Sequence, residues 1–166
     1  MRFSFLVFLV GTNLGYGASD ISSVKPDLHI PPLTKGELAA GKRVKQTHPD
    51  WKDTEVYHVI YLPKDWRPDK RYPVIVEYAG NGPYKNKFGD ISAGRPEGSK
   101  MGYGISGGEG FIWVCIPYLN NAGNKNVTRW WGDHPIYNPK PTLDYCKKVV
   151  PWVCVNYGGE VKNVIL

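Results

Sequence analysis

A glycine-rich loop directly after an apolar run is the first candidate for chemistry in this chain. The β-branched run Val74–Val76 is typical of a strand covered on both faces, and the chain then turns through Gly80, Asn81 and Gly82. Glycine and asparagine tolerate positive φ, so a sharp turn is expected there. Backbone N–H groups of these three residues could face a substrate oxygen and stabilise an oxyanion. The alternative is an ordinary turn between a strand and a loop.

Paired tryptophans form a second candidate site. Trp130 and Trp131 lie in a long irregular stretch between 119 and 141, where they could stack on sugar rings or aromatic esters. The alternative is that both rings pack beneath the loop against the sheet. Asp133 and His134 follow at once, but adjacent side chains rarely face each other and no nucleophile lies nearby in the sequence, so a catalytic pair is not favoured.

The cysteines and histidines do not form a metal-binding pattern. The chain has three cysteines and four histidines, and no His/Cys spacing suits zinc. Cys115 falls inside an apolar strand, as a core residue would. Cys146 and Cys154 are eight positions apart in one helical pattern, about 12 Å along a straight helix, which is beyond the ~7 Å of a disulfide. We therefore expect no metal and no cofactor.

A Gly-x-Gly-x-x-Gly pattern occurs at Gly102, Gly104 and Gly107. A dinucleotide-binding loop needs a strand before this pattern and a helix after it. Here a loop precedes it and the strand follows, so nucleotide binding is rejected. A short helix around 99–103, or a mobile loop over the site, is expected instead.

The charge distribution does not favour nucleic acid as a partner. The 166 residues carry 21 Lys and Arg against 15 Asp and Glu, a net charge of +6. The basic residues are scattered, as in Lys147–Lys148, and no dense basic run appears. A solvated basic surface is the expected outcome, and the 42% of hydrophobic residues is enough for a packed core.

The N-terminal residues resemble a secretory signal. Arg2 precedes an apolar stretch that is too short to span a bilayer, and small residues stand near Gly17. The alternative is a buried N-terminal strand. With 1–17 read as a signal peptide, the protein is expected to be secreted, to have no membrane span, and to carry a glycan at Asn126, the first residue of an Asn-Val-Thr sequon.

Apolar periodicity divides the rest of the chain into an arm and a domain. Residues 18–54 are polar and rich in proline, which predicts an extended lead-in arm with a helix near 35–42 capped by Thr34. Residues 55–166 form the domain. Alternation predicts an antiparallel edge strand over 55–62, joined by a hairpin-like connection to the strand after Pro73, and a continuous apolar run predicts a second buried strand over 111–118.

The C-terminal part of the chain has helical spacing. A helix over 142–157 with Thr142 as its N-cap is predicted, and a third buried strand is predicted over 162–166. The expected buried face of this helix consists of Leu143, Cys146, Val150, Val153 and Tyr157. Together these elements predict an α/β fold with a mostly parallel sheet.

The stretch 57–84 resembles the opening of secreted α/β-hydrolases of the esterase and feruloyl-esterase-like type. The resemblance rests on Tyr-Leu-Pro at 61–63, Tyr-Pro-Val-Ile-Val at 72–76 and Gly-Asn-Gly at 80–82. In that family such a strand runs into a His-Gly-Gly-Gly oxyanion loop, whereas Ala79 and Asn81 stand here in place of a His and a Gly. The resemblance implies an α/β-hydrolase sheet, incomplete in these residues.

The family's nucleophile motif is not found at its expected place. In the family's order Gly-x-Ser-x-Gly follows a strand such as 162–166, on a turn from that strand into a helix. The pattern matches at 104–108, but there a loop precedes it and the apolar strand over 111–118 follows, which is not that context. The expected function is therefore that of a fragment of a secreted serine hydrolase acting on a small-molecule ester, with its nucleophile after Leu166. The alternative is a non-catalytic secreted module that binds carbohydrate through exposed aromatic residues.

Overall fold

The computed structural model describes residues 27–132 and 135–166. The predicted signal peptide over 1–17 and the Asp133–His134 pair lie outside the described residues. The strands are β1 (Leu33–Thr34), β2 (Arg43–Gln46), β3 (His58–Tyr61), β4 (Tyr72–Tyr78), β5 (Tyr84–Lys85), β6 (Ile91–Ser92), β7 (Ile112–Ile116), β8 (Tyr118–Leu119), β9 (Asn126–Val127) and β10 (Gly159–Ile165). The α-helices are α1 (Met101–Ser106) and α2 (Lys140–Tyr157), and two short 3-10 helices span Pro49–Trp51 and Pro96–Gly98.

A mixed sheet of six strands forms the centre of the fold, in the order β1-β2-β3-β7-β4-β10. Strand β3 runs antiparallel to both β2 and β7, whereas β4 is parallel to β7 and to β10. The sheet is thus partly parallel rather than mostly parallel, and few helices accompany it. Two small hairpins, β5–β6 and β8–β9, lie outside the main sheet.

The strand predicted at a sheet edge is an inner strand. All four residues of β3 are buried, because β2 covers one of its edges and β7 covers the other. Strands β3 and β4 are not a hairpin, since β7 inserts between them. The predicted hairpin-like connection was therefore wrong, and the turn after Pro63 carries the chain across the sheet instead.

The lead-in arm contributes strands to the sheet. The predicted helix near 35–42 does not form; β1 lies at its start, and Ala40 bridges to Leu62. Strand β2 then pairs with β3 over its whole length. The side chain of Arg43 attaches β2 to the segment before α1. Its guanidinium donates to the carbonyl groups of Pro96 at 3.3 Å and Glu97 at 3.0 Å. The arm is thus continuous with the domain.

The long helix forms where the periodicity predicts it, but its buried face is rotated. Helix α2 starts at Lys140, before the predicted cap Thr142, and ends at Tyr157, followed by Gly158 as a C-cap with a left-handed φ of 78°. The buried residues are Thr142, Tyr145, Val149, Val153 and Cys154. Leu143, predicted to be buried, is 50% exposed. Tyr145 lies on the buried face, and its hydroxyl bonds to the buried ring of His58 at 2.8 Å.

Strand β10 is longer and more exposed than predicted. It pairs with β4 on one edge, with an irregularity between Gly159 and Val164. Within the predicted range 162–166, Ile165 is 53% exposed and Leu166 82% exposed, so the prediction of a third buried strand was wrong.

The core is divided between the two faces of the sheet. On one face α2 packs Tyr145, Val149 and Val153 against side chains of the sheet. On the other face Tyr103 of α1 packs against Tyr61 and Trp113. Strands β4 and β7 are neighbours, and the helices that follow them cover opposite faces, which opens a crevice at the carboxyl ends of these strands.

No helix among the described residues is both long enough and apolar enough to span a bilayer.

Candidate functional site

The predicted oxyanion loop leaves β4 at this crevice. Gly80 is exposed and Asn81 half-buried, and the backbone N–H groups of both have no hydrogen-bond partner within residues 27–132 and 135–166. The N–H of Gly82 instead donates to the carbonyl of Thr128 at 2.8 Å. Of the three predicted donors, one therefore holds the loop in place, and the other two have no partner among the described residues.

Gly82 is required by close packing. A Cβ at this position would lie 2.4 Å from the backbone of Ala93 and of Gly94. The carbonyl of Gly82 also accepts a hydrogen bond from Nε of Arg129 at 3.3 Å. This residue is buried and bonded on both sides, so it fixes the direction in which the preceding two residues point.

Side chains brace the exposed part of the loop. The hydroxyl of Ser92 donates to the carbonyl of Gly80 at 2.6 Å. Oδ1 of Asn81 accepts from the N–H of Trp130 at 2.9 Å, so the Asn81 side chain has a structural role in the loop. The loop is therefore preorganised from two directions, by β6 and by the segment 128–130.

An apolar cavity of about 380 Å³ lies beside this loop, between the carboxyl ends of the strands and α2. Its walls are Tyr78, Tyr118, Trp130, Tyr137, Pro139, Thr142, Leu143, Cys146, Lys147 and Leu166. The rings of Tyr78 and Tyr118 stack with centroids 5.2 Å apart and an interplanar angle of 18°. Such a cavity has the size and apolar lining of a small-molecule site.

The tyrosines of the cavity are not placed to act as bases. Burial, together with a hydrogen bond to the thiol of Cys146, raises the pKa of Tyr78. Burial also raises the pKa of Tyr118. Both hydroxyls therefore stay protonated at neutral pH, and these two side chains offer hydrogen bonds rather than proton abstraction.

The two tryptophans are accessible, but they do not form a flat platform. Trp130 is 55% exposed and Trp131 43% exposed, so neither packs fully beneath the loop. Their rings meet edge to face at 87°, with centroids 5.5 Å apart. Only one of them can stack on a given ligand face, and Trp130 is the one that lines the apolar cavity.

The sequon asparagine is buried in the folded chain. Asn126 is 3% exposed, its Nδ2 donates to the carbonyl of Tyr57 at 3.0 Å, and its Oδ1 accepts from the N–H of the same residue at 3.3 Å. A glycan would require this side chain to leave its site. Glycosylation stays a prediction, and the folded geometry disfavours it.

The glycine pattern at 102–107 is explained by packing. A Cβ on Gly102 would lie 2.2 Å from Cδ1 of Trp113. Gly107 has a φ of 61° and ends α1 in the left-handed conformation. The helix comprises Met101–Ser106, slightly later than predicted, and no phosphate-binding role is needed to account for the glycines.

A buried carboxylate that the sequence reasoning missed holds α1 against the sheet. Glu77, at the end of β4, is 6% exposed. It accepts hydrogen bonds from the N–H groups of Lys100, Met101 and Gly102 and from the indole of Trp113, at 2.8 to 3.2 Å. The sequence does contain an indication of this role, because a glutamate inside the apolar run Val-Ile-Val-Glu-Tyr is expected to be buried and then needs hydrogen-bond donors.

The described residues contain no cluster of three or more His, Cys, Asp or Glu side chains that could hold a metal ion. All three cysteines are free thiols. Burial raises the pKa of the Cys115 thiol, which fits the predicted core position.

Comparison of the chain with models of known protein families, with curated proteins and with solved structures found no match. The functional conclusion therefore rests on the geometry of the loop and its cavity.

Proposed function

We propose that this chain forms the oxyanion-binding part of an ester hydrolase of the α/β-hydrolase type. The observation that carries the proposal is the pair of unpartnered N–H groups at Gly80 and Asn81 in the described structure, beside an apolar cavity at the end of a central strand. Preorganised donors of this kind stabilise the tetrahedral oxyanion of acyl transfer, and loss of one costs about 10²–10³-fold in kcat.

The sheet supports the proposal. In α/β-hydrolases one oxyanion donor comes from the loop between a central strand and the helix after it, and the nucleophile stands on a turn at the top of the sheet. Here the loop leads from β4 toward α1, and the carboxyl end of β10 lies next to β4. The Gly-x-Ser-x-Gly match at 104–108 lies at the end of α1 and not on a turn from a strand into a helix, so we propose that the nucleophile of such an enzyme comes from residues outside these 166.

The apolar cavity is the proposed site for the acyl or aryl group of the ester. Trp130 links it to the loop, because its backbone N–H bonds to Asn81 while its ring lines the cavity. When the carbonyl oxygen of a substrate faces Gly80 and Asn81, the acyl or aryl group of that substrate can contact the apolar cavity on one side.

The test compares a variant that removes one donor with a variant that keeps it. In the protein encoded by the complete transcript, Gly80→Pro deletes the N–H, whereas Gly80→Ala keeps it. The alanine Cβ would lie 3.3 Å from the Ser92 hydroxyl, a tight contact with a side chain and not with backbone. With p-nitrophenyl butyrate as substrate, we expect kcat to fall about 10²–10³-fold for the proline variant and less than about threefold for the alanine variant.

Two outcomes contradict the proposal. One is equal loss in the Pro and Ala variants of Gly80 when both melt like the wild type, which would assign the loop a structural role only. The other is the absence of any turnover above buffer by the protein from the complete transcript.

Secretion is part of the same proposal and rests on the signal-like residues 1–17. When the chain is expressed in eukaryotic cells, the secreted product is expected to begin near Ala18. N-terminal sequencing that returned Met1 from the medium would contradict it.

A second candidate function is binding of a small carbohydrate without catalysis. It is favoured by one observation, the half-exposed ring of Trp130 on the wall of an apolar cavity. Soluble oligosaccharides would then quench tryptophan fluorescence in the wild type and not in Trp130→Ala. Val155→Ala, at a 78% exposed position of α2, is the matched surface control. A response that survives Trp130→Ala excludes this candidate.

A further inference from the structure

A second, basic pocket of about 200 Å³ adjoins the segment that braces the loop. Its lining residues are Arg95, Lys125, Asn126, Val127, Thr128, Arg129 and Gly132. Among these described residues, three side chains are cationic and none is a carboxylate. The segment 128–130 separates this pocket from the apolar cavity, because Thr128 and Arg129 line the basic pocket while Trp130 lines the apolar one.

The three cations have no carboxylate partner in the described part of the chain. The ion pairs found there involve His48, Arg67, Lys70, Lys140 and Lys148. Arg129 donates through Nε to the carbonyl of Gly82, which leaves its terminal amino groups for another acceptor. Unpaired cations around one concavity raise the local positive potential.

The floor of the pocket is rigid. The carbonyl of Thr128 accepts from Gly82, and a Cβ on Gly94 would lie 2.1 Å from that same oxygen. Asn126 is bonded at both ends of its amide group to the backbone of Tyr57. The backbone that carries two of the three cations is therefore fixed before any ligand arrives.

We infer that this pocket binds a tetrahedral oxyanion, the sulfate or phosphate group of a ligand. Arginine donates in a planar fork that matches the oxygens of sulfate and phosphate, and lysine adds a point charge. The pocket is large enough for one such group. This binding does not depend on ester hydrolysis, since it uses none of the Gly80 or Asn81 donors.

The test measures binding calorimetrically at constant ionic strength. Inorganic sulfate and phosphate are titrated first, and then a sulfated disaccharide and its unsulfated parent. Arg95→Gln and Lys125→Gln each remove one cation from the pocket. Arg67→Gln removes the same charge elsewhere, from an exposed pair with Asp69 at 3.8 Å. All three variants are first shown to melt like the wild type.

We expect saturable binding that weakens about tenfold in each pocket variant and less than about twofold in Arg67→Gln. Preference for the sulfated disaccharide over inorganic sulfate would assign the anion to a sugar ester, and the reverse order would assign it to a free ion. Non-saturable binding, equal loss in the control variant, or equal affinity for the unsulfated disaccharide would overturn the inference.

Discussion

Protonation of one buried histidine is expected to make the fold sensitive to acid. His58 is fully buried. Its Nδ1 bonds to the Tyr145 hydroxyl at 2.8 Å, while its Nε2 has no partner among the described residues. Burial, with a smaller contribution from nearby His48, lowers the pKa of His58 from 6.5 to about 3.

The direction in which the free energy of unfolding changes with pH depends on which state binds the proton. Between pH 6.5 and about 3 the unfolded chain binds a proton at His58 and the folded chain does not. The contribution of neutral His58 to the free energy of unfolding is therefore fully present above that range and is lost as the pH falls through it. Between pH 7.5 and pH 5.0 the loss is about 2 kcal/mol.

The assay is urea unfolding at several pH values between 7.5 and 5.0. His58→Leu removes the titration and the hydrogen bond between His58 and the Tyr145 hydroxyl, a cost that does not vary with pH in this range. The wild type should therefore lose about 2 kcal/mol more than the variant between the two pH limits.

The titration of the neighbouring His48 has to be distinguished from that of His58. Burial also lowers the pKa of His48, against the opposing charge of Asp50. The comparison is repeated in a His48→Asn background. Equal pH dependence of the wild type and His58→Leu in both backgrounds would refute the reasoning.

Further predictions concern close packing. Gly102→Ala should destabilise the fold by about 3 kcal/mol or more, because its Cβ would overlap the ring of Trp113. At Gly104 a Cβ would have only a side-chain contact at 3.4 Å, so Gly104→Ala should be neutral or stabilising by about 0.5–1 kcal/mol. Thermal melts compare the stabilities of the two variants, and equal changes in both would contradict the packing argument. Asn126→Ala should cost about 1–3 kcal/mol by leaving the Tyr57 backbone unpaired, and a glycosidase-sensitive mass of the secreted folded protein would contradict the buried position of this side chain.

The sequence predicted the elements that local patterns determine. The run Val74–Val76 and the run within 111–118 formed central strands because continuous apolar stretches need cover on both faces. The helical spacing before Gly158 formed α2. The turn after β4 was also placed correctly, so the candidate loop could be found from the sequence.

The features that were missed depend on residues distant in the sequence. The insertion of β7 between β3 and β4 is a matter of strand pairing, which alternation within one strand does not report. The use of the Gly82 N–H by Thr128, 46 positions away in the sequence, is equally nonlocal. The burial of Asn126 could not be read from a sequon, because the pattern says nothing of which backbone its amide meets.

The buried carboxylate of Glu77 has a consequence for the order of folding. Helix α1 has six residues, two of them glycine, and is too short to persist alone in water. Its first N–H groups are capped by a side chain at the end of β4, more than twenty positions earlier. The helix can therefore form only after β4 is in place. The amides of Lys100, Met101 and Gly102 lie outside the sheet, yet their protection from hydrogen exchange should show whether the central strands are assembled.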